Sequence, residues 1–186
     1  MAEGILKNLA KRQTDRLLRS SVEPRAHLGD KLNIYVVQQG LLGPLLLSPS
    51  MGPIFHEAAR RISFYIAKET ESMIKKLPDY RGIAKSKNLD EAKLSTEFTN
   101  LQMRLQLDGD GLLSMTEYRK GELIVFQVEE CVECFGLGNI GGAVCYSTAG
   151  KLGGAMQAAF HKDVGTVETK CAARGDPYCE FRYTFQ

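Results

Sequence analysis

The stretch ETKCAARGDPYCEF, near the end of the chain, brings two thiols and a carboxylate close together in sequence. It runs from Glu168 to Phe181 and contains Cys171 and Cys179, two of the five cysteines. Between them lies Gly175-Asp176-Pro177, a strong turn signal, so the segment is typical of a hairpin. Such residues could form a disulfide, hold a metal ion, act as a redox pair, or pack as two ordinary buried cysteines.

A metal site becomes more specific when Cys145, 23 residues before Glu168, is added. Cys145, Glu168, Cys171 and Cys179 would supply three thiolates and one carboxylate, a closed set typical of a structural zinc site. Glu168 and Cys171 are three residues apart, and such residues face opposite sides of a regular strand. A zinc site therefore requires a bulge or a strand end between them. The alternative is a group of cysteines buried in a small core.

Composition sets the context for this chemistry. The chain has 186 residues and a net charge of +2, with 44% hydrophobic and 25% charged residues, which is typical of one globular domain without a basic footprint for nucleic acid. No apolar run approaches the roughly 20 residues that span a membrane. The first residues lack the pattern of a secretory signal. We therefore expect a cytoplasmic protein with reduced thiols, and the odd cysteine count argues against a disulfide framework.

The hydrophobic pattern predicts an α+β fold, with an antiparallel sheet and helices packed on one side. Residues 1–50 are interpreted as an N-terminal helix and strand appendage that serves dimerisation. Within it, KLNIYVVQQGLLGPLLL (31–47) is predicted as one strand or a hairpin, because Gly40 and Gly43-Pro44 interrupt it. Its apolar side chains must be buried, either on a partner subunit or on the same chain.

Residues 51–186 form the main domain in this prediction. A long amphipathic helix ends near Pro78, and a second helix follows Asn88. The period then changes to that of a hairpin around Arg119-Lys120-Gly121. GGAVCYSTAGKLGGAMQAAF is predicted as a third helix, and the tail that contains Cys171 and Cys179 as a second hairpin.

Two motifs imitate ligand-binding loops without the context that those loops need. QLDGDGLLSMTE (Gln106–Glu117) nearly fits a calcium loop, but its first position lacks a carboxylate and a strand pattern follows it. A helix-to-strand turn explains the same residues. GLGNIGG contains G-x-G-x-x-G, but it does not directly follow a strand, and too few residues come after it to build a dinucleotide fold.

The string GLGNIGGAVCYSTAGKLGGAMQ…ETKCAARGDPYCEF resembles the vinyl-4-reductase domain family of hydrocarbon-binding domains, which are similar in fold to subunits of the TRAPP complex. The matching positions are Gly136, Cys145, Gly150, Gly154, Glu168, Cys171, Gly175, Asp176 and Cys179. In the related sensors of aromatic hydrocarbons, the corresponding three cysteines and glutamate hold zinc. The resemblance therefore implies zinc at Cys145, Glu168, Cys171 and Cys179. It makes residues 51–186 a zinc-containing ligand-binding domain.

Cys131 and Cys134 form a separate C-x-x-C pair in this interpretation. In a thioredoxin-like setting that spacing would indicate redox chemistry. Here it follows an antiparallel-looking strand and precedes a glycine-rich turn. Two buried thiols are the favoured interpretation, with a redox or second metal role as the alternative.

The resemblance places a ligand pocket between helices and sheet, near the zinc hairpin. Residues apolar enough to line it are Phe126, Phe135, Tyr146, Met156 and Phe160. Packing in the core is the alternative for each of them. Gly150, Gly153 and Gly154 give the third helix a small-residue face, which permits close approach of another backbone or of a flat ligand. His56 and His161 are interpreted as surface or capping residues.

The sequence thus predicts a zinc-stabilised homodimeric module that binds or senses a small apolar molecule. It contains no recognisable hydride-cofactor site and no nucleophile with a base. Two alternatives stay open. One is an accessory protein of tetrapyrrole vinyl reduction, and the other is an assembly scaffold resembling TRAPP subunits, with a covalent lipid in its cavity.

Overall fold

The fold is an α+β arrangement of helices and an antiparallel sheet, as the sequence predicts. The computed structural model describes His27 and residues 34–74 and 89–186. The described helices are α1 (Ile34–Leu47), α2 (Met51–Ile74), α3 (Leu89–Asp108) and α4 (Tyr146–Phe160). The described strands are β1 (Leu112–Arg119), β2 (Leu123–Glu129), β3 (Val164–Lys170) and β4 (Cys179–Phe185).

The sheet has the order β1-β2-β4-β3, and all its neighbouring strands are antiparallel. The predicted hairpin around Arg119-Lys120-Gly121 joins β1 to β2, and Gly121 takes the left-handed conformation that this turn requires. β4 pairs with β2 rather than only with its own hairpin partner β3. This pairing brings the end of β2 beside Cys179, because Val128 lies opposite Cys179.

The core lies between one face of the sheet and the helices α3 and α4. Phe126 of β2 stacks on Phe98 of α3, with 5.9 Å between ring centroids. Tyr183 of β4 donates its hydroxyl to the carbonyl oxygen of Ala149 in α4 at 3.1 Å. Phe126 and Tyr183 are fully buried, so both helices cover the same face of the sheet.

The small residues of α4 allow α2 to pack against it at close range. A Cβ atom on Gly150 would overlap the carbonyl oxygen of His56, and one on Gly154 would overlap that of Arg60. Of the two roles predicted for this face, close approach of another backbone is therefore the one that the structure uses at both positions. The contact fixes α4, which carries Cys145 at its first turn.

The prediction of a strand or hairpin over residues 31–47 is wrong, because residues 34–47 form the helix α1. Dense apolar residues obscure the period, and the helix is recognised only by what it packs against. Leu42 is fully buried, and the buried amide of Gln38 donates to the carbonyl oxygens of Val132 and Phe135 at 2.9 and 3.1 Å. Within the described ranges, no helix combines the length and apolar content needed to cross a membrane.

The calcium-like segment makes a turn from helix to strand, as its alternative interpretation predicts. α3 ends at Asp108 and β1 begins at Leu112. The carboxylate of Asp110 forms an ion pair with the Lys151 ammonium at 2.6 Å. The backbone of Asp110 donates to the Leu105 carbonyl and accepts from Val132 N–H. This residue thus ties the turn to α3, to α4 and to the segment after β2.

Candidate metal centre

The strand β3 contains the irregularity that a shared site for Glu168 and Cys171 requires. Its register with β4 shifts between Glu168 and Lys170, and the strand ends at Lys170. Glu168 pairs with Phe181, on the buried face of the sheet. Because of the shift and the strand end, Cys171 turns to the same interior, where it is fully buried.

The turn between β3 and β4 holds the two thiols of the hairpin in place. Cys171 donates its N–H to the carboxylate of Asp176 at 2.8 Å, and Arg174 contacts the same carboxylate at 3.4 Å. Gly175 has a φ of 98°, a conformation that glycine adopts without strain. Ala173 accepts a hydrogen bond from the N–H of Ile140, which anchors the turn to the loop before α4.

The four predicted ligands, Cys145, Glu168, Cys171 and Cys179, meet in the interior. One donor atom from each lies within 4.8 Å of the other three. The Cys145 sulfur is 3.7 Å from that of Cys171 and 3.6 Å from that of Cys179. Two thiolates on one tetrahedral zinc, with Zn–S bonds of about 2.3 Å, are separated by roughly 3.8 Å. The spacing of the sulfur atoms therefore suits a single metal ion.

Cys131 and Cys134 belong to this cluster, whereas the sequence treats them as a separate pair. They follow β2, and the pairing of β2 with β4 places them against Cys145 and Cys179. Sulfur–sulfur distances are 3.6 Å for Cys131–Cys145 and 3.3 Å for Cys134–Cys179. Cys131, Cys134, Cys145 and Cys179 form a second group whose donors lie within 4.8 Å of one another. The five cysteines are all buried, as predicted for this pair.

The crowded thiols shift one another's pKa values. Hydrogen bonds from Cys134, Cys145 and Cys179 to its thiolate lower the pKa of Cys171 far below the usual value. The pKa of Cys179 is raised, mainly by its hydrogen bond with Cys131. One thiolate is thus stabilised by its neighbours while the others are kept protonated. A bound cation would remove this restriction, since it favours the charged form of every thiol that it contacts.

Two buried carboxylates adjoin the thiols. Burial, followed by the charge of Cys171, raises the pKa of Glu168 to about 10. Burial also raises the pKa of Glu133 to about 8, with a further contribution from Cys131. Glu133 caps α4: its carboxylate accepts the N–H of Ser147 at 3.1 Å and the N–H of Thr148 at 2.5 Å. The sequence gives no signal for this cap, because Glu133 lies 14 residues before the helix position that it contacts.

A cavity of about 300 Å³ opens beside Glu168, between α2, α4 and β3. It is lined by Pro53, His56, Ala143, Tyr146, Ala149, Thr166 and Glu168. Three of its polar atoms are buried without a hydrogen-bond partner among the described residues: His56 Nε2, Thr166 Oγ1 and Glu168 Oε1. His56, interpreted from the sequence as a surface or capping residue, therefore lines a cavity. Nothing in its position on an amphipathic helix distinguishes it beforehand.

The residues predicted to bind a ligand lie in different parts of the fold. Tyr146 lines the cavity beside Glu168, while Phe126 and Met156 are fully buried in the core. Phe160 packs on Phe185 with ring centroids 4.8 Å apart, and Phe135 is half-buried after the C-x-x-C turn. The structure does not gather these five residues around one cavity.

A family match and two solved structures are consistent with this geometry. Residues 124–185 match the model of the vinyl-4-reductase domain. The resemblance predicted from the closing motif is confirmed over this stretch, which contains all five cysteines and Glu168. In structure the chain is similar to the phenol-responsive sensory domain of the transcription activator PoxR with phenol. The TM-score is 0.54 at 16% identity, over 88% of this chain and 78% of that one.

The predicted likeness in fold to TRAPP subunits is confirmed as well. The chain is similar to trafficking protein particle complex subunit 3 from Naegleria fowleri, covalently bound to palmitic acid. The TM-score is 0.59 at 14% identity, over 84% of this chain and 94% of that one. At such identities both likenesses concern the fold.

Two curated proteins of Methanocaldococcus jannaschii also match part of the chain. Uncharacterized protein MJ0150 is 29% identical over 96 residues, which are 52% of this chain and 53% of that protein. Uncharacterized protein MJ1642 is 31% identical over 72 residues, or 35% and 45% of the two chains. The chain thus spans about half the length of the curated relatives that it matches.

Proposed function

We propose that the protein is a small-molecule binding or sensing domain whose ligand occupies the cavity beside Glu168. The match to the vinyl-4-reductase domain and the likeness to the PoxR sensory domain support the general class. One observation carries the specific proposal: three buried polar atoms without partners in the described structure line a single cavity. Leaving a buried polar group unsatisfied costs about 1–3 kcal/mol, so a ligand that pairs with these atoms recovers that energy.

The lining of the cavity suggests the chemistry of the ligand. Pro53, Ala143, Ala149 and the ring of Tyr146 supply apolar surface, while the three polar atoms can fix orientation. A volume of about 300 Å³ is at the lower end of the usual range for small-molecule pockets. The proposed ligand is therefore a small, mainly apolar molecule with at least one hydrogen-bonding group.

A structural zinc ion is the proposed resident metal, held by Cys145, Glu168, Cys171 and Cys179. Three buried thiolates and one carboxylate form a donor set without an open position, which suits stabilisation rather than catalysis. These residues join the first turn of α4 to both strands of the closing hairpin. Because Glu168 also lines the cavity, the metal would fix one wall of the ligand site.

A homodimer remains part of the proposal. Among the described residues, α2 exposes a row of large apolar side chains whose exposed fractions are 56%, 61%, 66% and 41%: Ile54, Ile62, Tyr65 and Ile66. An apolar surface of this kind is typical of a contact with another subunit. A second copy of the chain is the proposed occupant, and the cytoplasm is the proposed location.

Native mass spectrometry of the full chain, purified without chelator or added metal, tests the metal and the dimer together. We expect zinc on each chain and a doubled mass. Thermal shift with phenol and a set of small aliphatic and aromatic alcohols then tests the ligand site. Stabilisation by at least one probe that Ala149→Leu abolishes would support the cavity, since the larger side chain fills it. Ala158→Leu serves as a control, because Ala158 is equally small and buried on the same helix.

The two alternative functions give different results in the same experiments. A scaffold like TRAPP subunit 3, solved with covalent palmitic acid, would carry an acyl mass on a cysteine. An accessory protein of tetrapyrrole vinyl reduction would instead shift the absorption spectrum of an added pigment precursor. A bare monomer with reduced thiols and no response to any probe would contradict the proposed function.

A further inference from the structure

The cluster offers more metal donors than one ion can use. It contains six donor residues, while a structural zinc takes four. The donors fall into two groups that both contain Cys145 and Cys179. Cys131 and Cys134 belong to one group, and Glu168 and Cys171 to the other. A single ion in either group leaves two potential ligands of the other group unused.

The group with Cys131 and Cys134 has the geometry of a metal site in its own right. Its measured sulfur–sulfur distances, 3.6 Å for Cys131–Cys145, 3.3 Å for Cys134–Cys179 and 3.6 Å for Cys145–Cys179, are close to the edge of a tetrahedral thiolate site. The C-x-x-C spacing is one that structural zinc sites use repeatedly. A turn holds the pair, since the N–H groups of Cys134 and Phe135 both donate to the carbonyl oxygen of Cys131.

We propose that the cluster binds two divalent zinc ions, with the thiolates of Cys145 and Cys179 bridging them. Cys131 and Cys134 complete one tetrahedron, and Glu168 and Cys171 complete the other. This inference deepens the metal site of the proposed function and depends on it. It assigns a role in metal binding to Cys131 and Cys134, whose thiols the single-ion site leaves idle.

Charge balance permits the second ion. Cys131 and Cys134 release their thiol protons to solvent as they bind, and the two new thiolates carry the charge that the added divalent cation neutralises. The net charge of the cluster is therefore the same with one ion as with two. Sharing two thiolates lets six residues satisfy two four-coordinate ions, so no further donor is required.

The first test is the metal content of the full chain, measured by native mass spectrometry and by elemental analysis after zinc saturation and removal of excess metal. The wild type should retain two zinc ions per chain. The double variant Cys131→Ser/Cys134→Ser should retain one, and Cys171→Ser should also retain one. Met156→Leu, a volume-conserving change in the same core, should keep two and serves as the control.

Each other result has a definite consequence. One zinc in the wild type, kept by Cys131→Ser/Cys134→Ser and lost by Cys171→Ser, would overturn the two-ion inference and leave the proposed site intact. One zinc with the opposite pattern would overturn both, because the ion would occupy the four-thiol group. No zinc in the wild type would likewise overturn both.

A second test uses only the wild-type chain, in case the variants fail to fold. Loading with ¹¹³Cd should give two cadmium resonances per chain, with scalar coupling between them through the bridging thiolates. A single resonance at saturation would overturn the inference. Two resonances without coupling would contradict the shared role of Cys145 and Cys179, and so also overturn it.

Discussion

Two cavities of similar size lie against α4, and they differ in how their polar groups are satisfied. The cavity beside Glu168, of about 300 Å³, contains three buried polar atoms without partners in the described parts of the chain. The cavity between α1, α2, α3 and α4, of about 330 Å³, contains Lys151 and Asp110, which pair with each other at 2.6 Å. The first is therefore prepared for a polar contact from outside the chain, while this ion pair in the second already stabilises the fold.

The metal centre should produce the largest effect, because it closes one wall of the cavity beside Glu168. Cys179→Ser should lose zinc and lower the free energy of unfolding by ~4 kcal/mol or more, as expected when a structural metal is lost. Thermal denaturation with and without a chelator measures this change. Equal melting temperatures in wild type and variant, with zinc retained in both, would contradict the proposed site.

The helix contact beside both cavities should give the next largest effect. Gly154→Ala should destabilise the protein by ~3 kcal/mol, because the added Cβ atom overlaps the carbonyl oxygen of Arg60 and forces α2 from α4. Gly40→Ala is the matched control, since no heavy atom lies within 4 Å of its added Cβ atom. The control should be neutral or stabilising by up to ~1 kcal/mol. Urea denaturation compares the two, and equal losses would contradict this account of the helix contact.

At the cavity that contains the ion pair, removing a charge should weaken the fold. Asp110→Asn leaves the Lys151 ammonium without its carboxylate partner and should cost ~1 kcal/mol. This value is reduced from that of a buried pair because the side chain of Lys151 is 41% exposed. Denaturation at low and high salt measures the effect. An unchanged or raised stability at low salt would show that the ion pair contributes nothing.

At the cavity beside Glu168, removing a polar atom should have the opposite sign. Thr166→Val keeps the shape of the side chain but removes a buried hydroxyl that has no partner within the described structure. The free energy of unfolding should rise by ~1 kcal/mol without ligand, because a desolvated polar group is eliminated. Affinity for any probe that stabilises the wild type should fall. A loss of stability in the ligand-free protein would contradict the contrast between the two cavities.

The closing hairpin could be predicted from sequence because its determinants are local. Gly175, Asp176 and Pro177 specify a turn between two short strands, and the turn brings Cys171 and Cys179 together whatever the rest of the chain does. The need for an irregularity between Glu168 and Cys171 follows from strand geometry alone, and β3 supplies it. Cys145 could be added because the closing motif resembles that of a known family.

The remaining features depend on contacts between distant residues. α1 is helical although glycine and proline interrupt its sequence, because the burial of Leu42 and Gln38 outweighs local propensity. The pairing of β2 with β4 brings Cys134 to Cys179, 45 positions away, and makes one cluster of two groups of cysteines. Local pattern alone therefore specified the hairpin and its two thiols. The tertiary structure decided the sixfold donor set and the cavity beside it, since both need strands and helices that no short segment encodes together.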